Sequence, residues 1–250
     1  MNSRPHRASK WLRRAQFLAC VSVGFLVLST FSALVQFQWN KRSYPQVSYP
    51  GPDFRPKVTW SKERPSSWVR LSSLPRAAGL AVIAAEDGGF FRHAGVEWGQ
   101  SLTKIRSDFA KFRVPHGIST LNQQIVKNLY FGARPPLLRK AQELVVAQYM
   151  DSQLSKKQIL ETYLNIAEWG PGVVGIGQAS LYYFKKPASK LTSYECALLA
   201  NLLPNPRIRG AWVRKGRIPR ELARRVSRTL RRLSSVDRGA RAALLSKGAR

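Results

Sequence analysis

Two adjacent carboxylates, Glu86 and Asp87, close an apolar run in the stretch AVIAAEDGGFFRHAG, Ala81–Gly95. An acid at the end of such a run is delivered by a rigid element, with Phe90 and Phe91 near it and Arg92 and His93 beyond. A carboxylate drawn partly out of water binds its proton more tightly and becomes a better general base. The same pattern also suits a plain acid pair near a helix end held by Arg92, since ion-pair networks produce such clusters too. A second group is Arg139-Lys140-Ala141-Gln142-Glu143. On a helix, Arg139 and Lys140 lie four and three residues before Glu143 and share its face. From the spacing alone that face reads as an exposed salt bridge worth about 0.3–0.5 kcal/mol. Between the two groups runs HGISTLNQQIVKN, His116–Asn128. If Thr120 caps a helix there, Thr120, Gln123, Gln124 and Lys127 form one face, and Leu121, Ile125 and Leu129 the other. The free N–H groups of that helix start and Lys127 would suit an anion or a sugar. Taken alone, the segment reads more readily as a solvated polar face.

The charge balance supports an anionic partner. The 250 residues hold 42 Lys plus Arg against 13 Asp plus Glu, a formal charge of +29. Nucleic acid, a membrane surface or a phosphorylated substrate would each fit such a surplus. The scarcity of acids also shortens the search for a base: between Glu86 and Glu195 the others are Asp87, Glu97, Asp108, Glu143, Asp151, Glu161 and Glu168. Cys20 lies in an apolar run and Cys196 in a predicted buried helix, so neither a disulfide nor a metal cluster is expected. His6, His93 and His116 lack metal-ligand spacing.

The elements that must position these groups follow from pattern. Residues 1–14 are basic and read as a cytoplasmic segment. Residues 15–37 are mostly apolar and uncharged, roughly 35 Å as a helix, enough to span a bilayer as a signal anchor rather than a cleaved signal peptide. The preceding cations favour a cytoplasmic N-terminus. Residues 38–65 contain Pro45, Pro50, Pro52, Pro56 and Pro65 and read as an extended stalk with little core of its own. A mainly α domain is expected over 66–208. In it Ser73 caps a helix whose apolar face is Ala77, Leu80, Ala81 and Ala84, and Gly88–Gly89 end that helix through positive φ. Thr120-x-x-Gln123, Ser155-x-x-Gln158 and Thr192-x-x-Glu195 read as capping boxes. Lys157 and Glu161 read as an i, i+4 pair. Pro204 and Pro206 stop the helix YECALLANLL. Residues 209–250 form a basic tail in which Leu222, Val226, Leu230 and Leu233 make a stripe; it is expected to lie on an anionic membrane rather than bind nucleic acid, a solvated extension being the other reading.

Taken together, these segments resemble the peptidoglycan glycosyltransferases of family 51, over about 75–206 and in the family's order. The first signature is matched by Glu86-Asp87-x-x-Phe90-x-x-His93-x-Gly95. The second is matched by Gly117, Ser119, Thr120, Gln123, Gln124, Lys127 and Asn128, with Ile118 where the family usually has glycine. Arg139-Lys140-x-x-Glu143 matches the third, and Lys156-x-x-Ile159-Leu160-Glu161-x-Tyr163-Leu164-Asn165 the fourth, read as a structural helix. The fifth, Gly175–Lys186, departs at Gly177, Gln178 and Lys185, the last standing where glycine is usual. Ser101-x-x-Lys104 fits a penicillin-binding-protein pattern, but no Lys-Thr-Gly or Ser-x-Asn accompanies it, so a monofunctional enzyme is expected.

The resemblance implies a lysozyme-like helical fold with one N-terminal transmembrane helix and an interfacial patch around Val96–Val114. It implies polymerisation of lipid II into β-1,4 glycan by inverting transfer, with lipid pyrophosphate leaving. Glu86 would be the base, and Glu143 would have a secondary catalytic role, orienting the cations or assisting at the phosphate. Asp87, His93, Ser119, Thr120, Gln123, Gln124, Lys127, Asn128, Arg134, Arg139 and Lys140 would bind substrate. No cofactor is required, although magnesium or manganese could bridge the phosphates. The expected partners are lipid II, the growing lipid-linked glycan, the membrane and proteins of wall synthesis or division, with no nucleic acid. The chain would sit in the cytoplasmic (inner) membrane as a single-pass protein with its catalytic domain outside. A lytic, lysozyme-like enzyme is the alternative; it would need an acid on the leaving sugar and few clustered cations.

Overall fold

Thr120, Ser155 and Thr192 each begin a helix. Each side chain accepts from the backbone N–H three residues on, and Gln123, Gln158 and Glu195 return the bond. All three capping boxes thus form. The computed structural model describes residues 5–49, 56–99, 103, 119–131 and 136–247. Its helices are α1 (Pro5–Asn40), α2 (Arg76–Glu86), α3 (Leu121–Val126), α4 (Pro136–Gln153), α5 (Lys156–Ile166), α6 (Ile176–Phe184), α7 (Ser193–Ala200), α8 (Pro206–Arg214) and α9 (Arg220–Lys247). The protein is mostly helical, as its periodicity predicts. Two small antiparallel pairs accompany the helices: β1 (Tyr44–Ser48) with β2 (Lys57–Ser61), and β3 (Glu168–Gly170) with β4 (Val173–Val174).

Helix α2 is the centre. Ala78, Gly79, Ala81, Val82, Ile83 and Ala84 are all buried, so it is enclosed nearly all round rather than along one face. It packs against α7 and α9. Ser73 does not cap it: Ser73 lies in a short 3₁₀ turn, Leu71–Ser73, and Pro75 occupies the cap position with no side-chain bond. Nor do Gly88 and Gly89 take positive φ. The helix ends because Asp87 leaves it at φ −151, ψ 67, after its N–H has bonded the Ile83 carbonyl at 3.0 Å.

Helix α1 is long and apolar enough to cross a membrane; its candidate span is Ala15–Asn40. Phe17, Val21, Phe25, Leu28, Phe31 and Val35 are exposed along it. Its C-terminal third instead packs on α4. Ala33 and Phe37 are buried there, and Phe37 meets Tyr130 and Tyr149 edge-on at 6.5 and 5.7 Å. The Gln142 amide donates to Ser29 Oγ.

Part of the Pro-rich segment pairs as β1–β2, from Tyr44↔Ser61 to Ser48↔Lys57. Trp60 stacks on Tyr130 at 5.9 Å, and Tyr44 packs edge-on to Trp68. The alternating aromatic and β-branched residues in YPQVS and KVTWS supply the pairing surface that the prolines obscured.

The helix expected to run through YECALLANLL up to the prolines ends at Ala200 with Asn201 as its cap, before either of them; Pro206 instead stands at the first position of α8, where its missing N–H costs nothing. The stripe expected to meet lipid covers the domain instead. Leu222 and Val226 are buried, Leu230 and Leu233 pack against the core, and α9 contacts α2 and α7. The Thr229 hydroxyl accepts from the Asn201 amide at 2.9 Å. A stripe with helical period says that a face is covered, not what covers it.

Lys157 and Glu161 do not pair. Glu161 takes the Trp68 indole N–H at 2.9 Å and the Leu71 N–H at 2.7 Å. Asn165 exchanges two bonds with the Val69 backbone, at 2.8 and 2.9 Å. The polar edge of α5 therefore fastens the strand-like approach to α2, which is the structural role expected of the fourth signature.

Candidate active site

The carboxylate of Asp87 faces inward. Its Oδ2 accepts the Leu121 N–H at 3.0 Å and its Oδ1 lies 2.9 Å from His93 Nε2. It thereby takes the first N–H of α3, so that donor faces the protein's own anion rather than a substrate. Asp87 and His93, expected at the substrate, are nearly closed off, their side chains 4% and 5% exposed. Thr120 and Gln123 are buried as well, and Thr120 Oγ1 donates to the Gly95 carbonyl at 2.6 Å. Gly95 has φ +82, and a Cβ there would run into the Ala147 carbonyl, so the turn after His93 requires glycine. These four residues of the first two signatures join α2 to α3 and support the site from beneath.

A further tie, not anticipated from the sequence, lies alongside. Lys156 Nζ donates to the His93 carbonyl at 2.8 Å, pairs with Asp151 and stands 4.8 Å over the Phe90 ring. Asn122 donates to Asp151 at 3.2 Å. Lys156 is thus a largely buried latch rather than a rim charge. Its spacing within one helix gave no hint of partners on two other segments, the turn after α2 and the end of α4.

Above this base the remaining candidates come together. Gln124 Nε2 donates to Glu86 Oε2 at 3.1 Å and, at the long limit of 3.5 Å, to the Ser119 carbonyl. Ser119 Oγ accepts from Lys140 Nζ at 3.0 Å. Lys140 and Arg139 pair with the two oxygens of Glu143 at 3.3 and 2.9 Å. The expected i, i+3 and i, i+4 pairs on α4 therefore form, and Glu143 is buried beneath them. One polar chain runs from Glu86 through Gln124, Ser119 and Lys140 to Glu143 and Arg139.

Burial, the largest influence, raises the pKa of Glu86 above its ordinary value; the Gln124 bond, Arg209 and Lys127 oppose it, and Asp87 adds to it. Burial likewise lowers the pKa of Lys127, against the pull of Glu143 and with the push of Arg139 and Lys140. Lys127 thus answers electrostatically to both glutamates. It opens a π-helical turn, Lys127–Phe131, which also carries the half-buried Asn128. Such a widened turn is frequent at functional sites. Arg134 lies outside the described residues, as do Ile118, Ser101, Lys104 and most of the expected interfacial patch.

Sequence reasoning missed two residues near Glu86. Tyr163 donates its hydroxyl hydrogen to Gln124 Oε1 at 2.8 Å. Arg209 acts on Glu86 through charge and donates to the Asn201 carbonyl at 2.8 Å. Tyr163 stands in the fourth signature and could have been weighed there; Arg209 lies beyond the signatures and carried no signal.

A desolvated carboxylate, a partly desolvated lysine and a cationic turn thus come together on a helical domain that also carries a membrane-length helix. The chain belongs to the transglycosylase family, whose model matches residues 55–234. Among its relatives is the biosynthetic peptidoglycan transglycosylase of Brucella suis biovar 1 (strain 1330), 45% identical over 57% of this chain and 63% of the relative. The protein of that name from Mannheimia succiniciproducens is 43% identical over 62% of this chain and 60% of the relative. That from Rhizobium leguminosarum bv. trifolii is 42% identical over 62% and 66%. The chain thus spans a little under two thirds of the length of these relatives.

Proposed function

We propose that this protein polymerises lipid II, joining a growing lipid-linked glycan to an incoming lipid II by a β-1,4 bond. Glu86 would take the proton from the 4-hydroxyl of the acceptor sugar as that oxygen attacks the donor's anomeric carbon. The anomeric centre inverts, and the lipid pyrophosphate departs carrying the bonding electron pair. Pyrophosphate leaves as an anion, so one base suffices and no acid is needed on the leaving group. The charge developing on the phosphates would be met by Lys127, Arg139 and Lys140, preorganised before the reaction begins. Glu143 would hold Arg139 and Lys140 in that arrangement. Asp87 and His93 would fix the end of α2 and so the height of Glu86.

The observation that carries the reading is the continuous chain Glu86–Gln124–Ser119–Lys140–Glu143, which sets a desolvated base against bound cations. A lytic enzyme would use a raised-pKa carboxyl as an acid but has little use for that cation cluster. We assign no required cofactor; a divalent cation, where it takes part, would enter as counter-ion of the substrate phosphates. The membrane helix would keep residues 1–14 in the cytoplasm and the domain on the outer side of the inner membrane, where lipid II is its partner together with proteins of wall synthesis or division. The test is incubation of the full chain with lipid II and, separately, with preformed glycan. Glycan strands from the first and no cleavage in the second are expected. Cleavage of preformed glycan without polymer would make the protein lytic.

A further inference from the structure

An amide side chain fits its site in two orientations related by a half turn. Shape hardly distinguishes them, but a neighbouring carboxylate does. With N–H toward it the anion is favoured; with the amide oxygen toward it the anion is repelled and the protonated acid is favoured. The state of Glu86 therefore depends on which way Gln124 faces.

We propose that Tyr163 is a positioning residue for the base: its hydroxyl fixes the Gln124 amide so that N–H, not the amide oxygen, meets Glu86. This rests on Glu86 acting as the base. Three contacts determine the orientation. The amide nitrogen faces two acceptors, Glu86 Oε2 at 3.1 Å and the Ser119 carbonyl at 3.5 Å. The amide oxygen receives the Tyr163 hydroxyl at 2.8 Å. A flipped amide would set its oxygen against both acceptors and leave the Tyr163 hydrogen without a partner in the core, where Tyr163 is 2% exposed. Burial, with Glu86 and Asp87 nearby, raises the Tyr163 pKa well above its ordinary 10.0, so the phenol keeps its proton and remains a donor throughout the working range. The other charges bearing on Glu86 are Asp87 on its own segment, Lys127 from the π-turn and Arg209 from α8, and none of them depends on the amide's direction.

Removing only the hydroxyl removes the lock. In Tyr163→Phe, the Gln124 amide is free to turn whenever Glu86 takes a proton, and its oxygen then accepts that proton's hydrogen bond. Protonated Glu86 gains and the ionised base loses.

The experiment follows polymerisation of lipid II by full-length protein in detergent as a function of pH. In Tyr163→Phe the acid limb of kcat/KM should move to higher pH by about one unit, a tenfold gain in proton affinity, while the rate well above the limb stays within about threefold of wild type. Gln124→Leu should shift the limb the same way, and adding Tyr163→Phe to it should shift it no further. A uniform loss of rate with an unmoved limb would make Tyr163 merely structural and overturn the proposal. If Tyr163→Phe does not fold, Gln124→Leu decides: an unmoved limb there overturns the proposal, and an upward shift supports it. Titration of Glu86 by carbon NMR of labelled protein gives the same shift without turnover. A wild-type protein that makes no polymer would sink the functional reading, whereas an unmoved Glu86 titration in the variant would sink the role of Tyr163 alone.

Discussion

Replacing Asp87 separates a buried tie from a substrate contact. The carboxylate holds two donors, the Leu121 N–H at 3.0 Å and His93 at 2.9 Å, and the residue is 7% exposed. Hydrogen bonds to a charged acceptor are worth about 1.5–3 kcal/mol each, so Asp87→Ala, which strands both donors, should cost about 3–5 kcal/mol. In Asp87→Asn the amide oxygen can keep the Leu121 N–H. Its NH₂ can then donate to His93 Nε2 once the ring carries its proton on Nδ1. That variant loses charge rather than partners and should cost about 1–2 kcal/mol. In a domain of this size each 1 kcal/mol moves Tm by roughly 2–4 °C. The alanine variant should therefore melt roughly 6–20 °C below wild type and the asparagine variant roughly 2–8 °C below. The assay is thermal unfolding by circular dichroism on detergent-solubilised full chain, with turnover on lipid II measured alongside. An alanine variant with wild-type Tm and a raised KM would refute this reasoning and return Asp87 to the substrate.

Glu86→Gln should lower polymerisation by about 10²–10⁴, the usual worth of a general base, and at neutral pH should melt above wild type. Burial raises the folded-state pKa of Glu86 above its ordinary 4.5, so ionising it costs stability as pH rises through that raised value; the amide escapes the cost, and the gain should vanish when Tm is measured below about pH 4.5. Lys156→Ala should lower stability by about 2–4 kcal/mol in a denaturant titration, since it leaves the largely enclosed Asp151 without its cation and with only the Asn122 amide, whereas Lys140→Ala, 42% exposed at its side chain, should change stability by less than about 1 kcal/mol while turnover falls. Lys185 sits in the left-handed region at φ 57 at the end of α6, so Lys185→Gly should raise stability by about 0.5–1 kcal/mol in the same titration.

Local patterns predicted local structure well. Thr120, Ser155 and Thr192 cap helices because both halves of each capping box lie within four residues. Glu86 stands at the end of a buried helix, and Glu143 takes Arg139 and Lys140, because each outcome depends on helical spacing alone. What escaped were pairings across the chain. Asp87 reaches 34 residues on to the start of α3, and Lys156 reaches 63 residues back to the His93 carbonyl. Neither partner is implied by composition or period. The α9 stripe was legible as a covered face, but lipid and protein ask for the same leucines and valines.

The contact of α1 with α4 gives this long apolar helix a task within the fold. Cutting the chain at residue 40 would remove Phe37 from its seat against Tyr130 and Tyr149 and strip the Gln142 amide of Ser29. The wound would open on the turn that carries Arg139, Lys140 and Glu143, beside the π-turn that carries Lys127. A fragment beginning after residue 40 would not be the same domain minus an appendage. It would be a domain with one wall missing, and detergent or a second molecule would be drawn to close the gap.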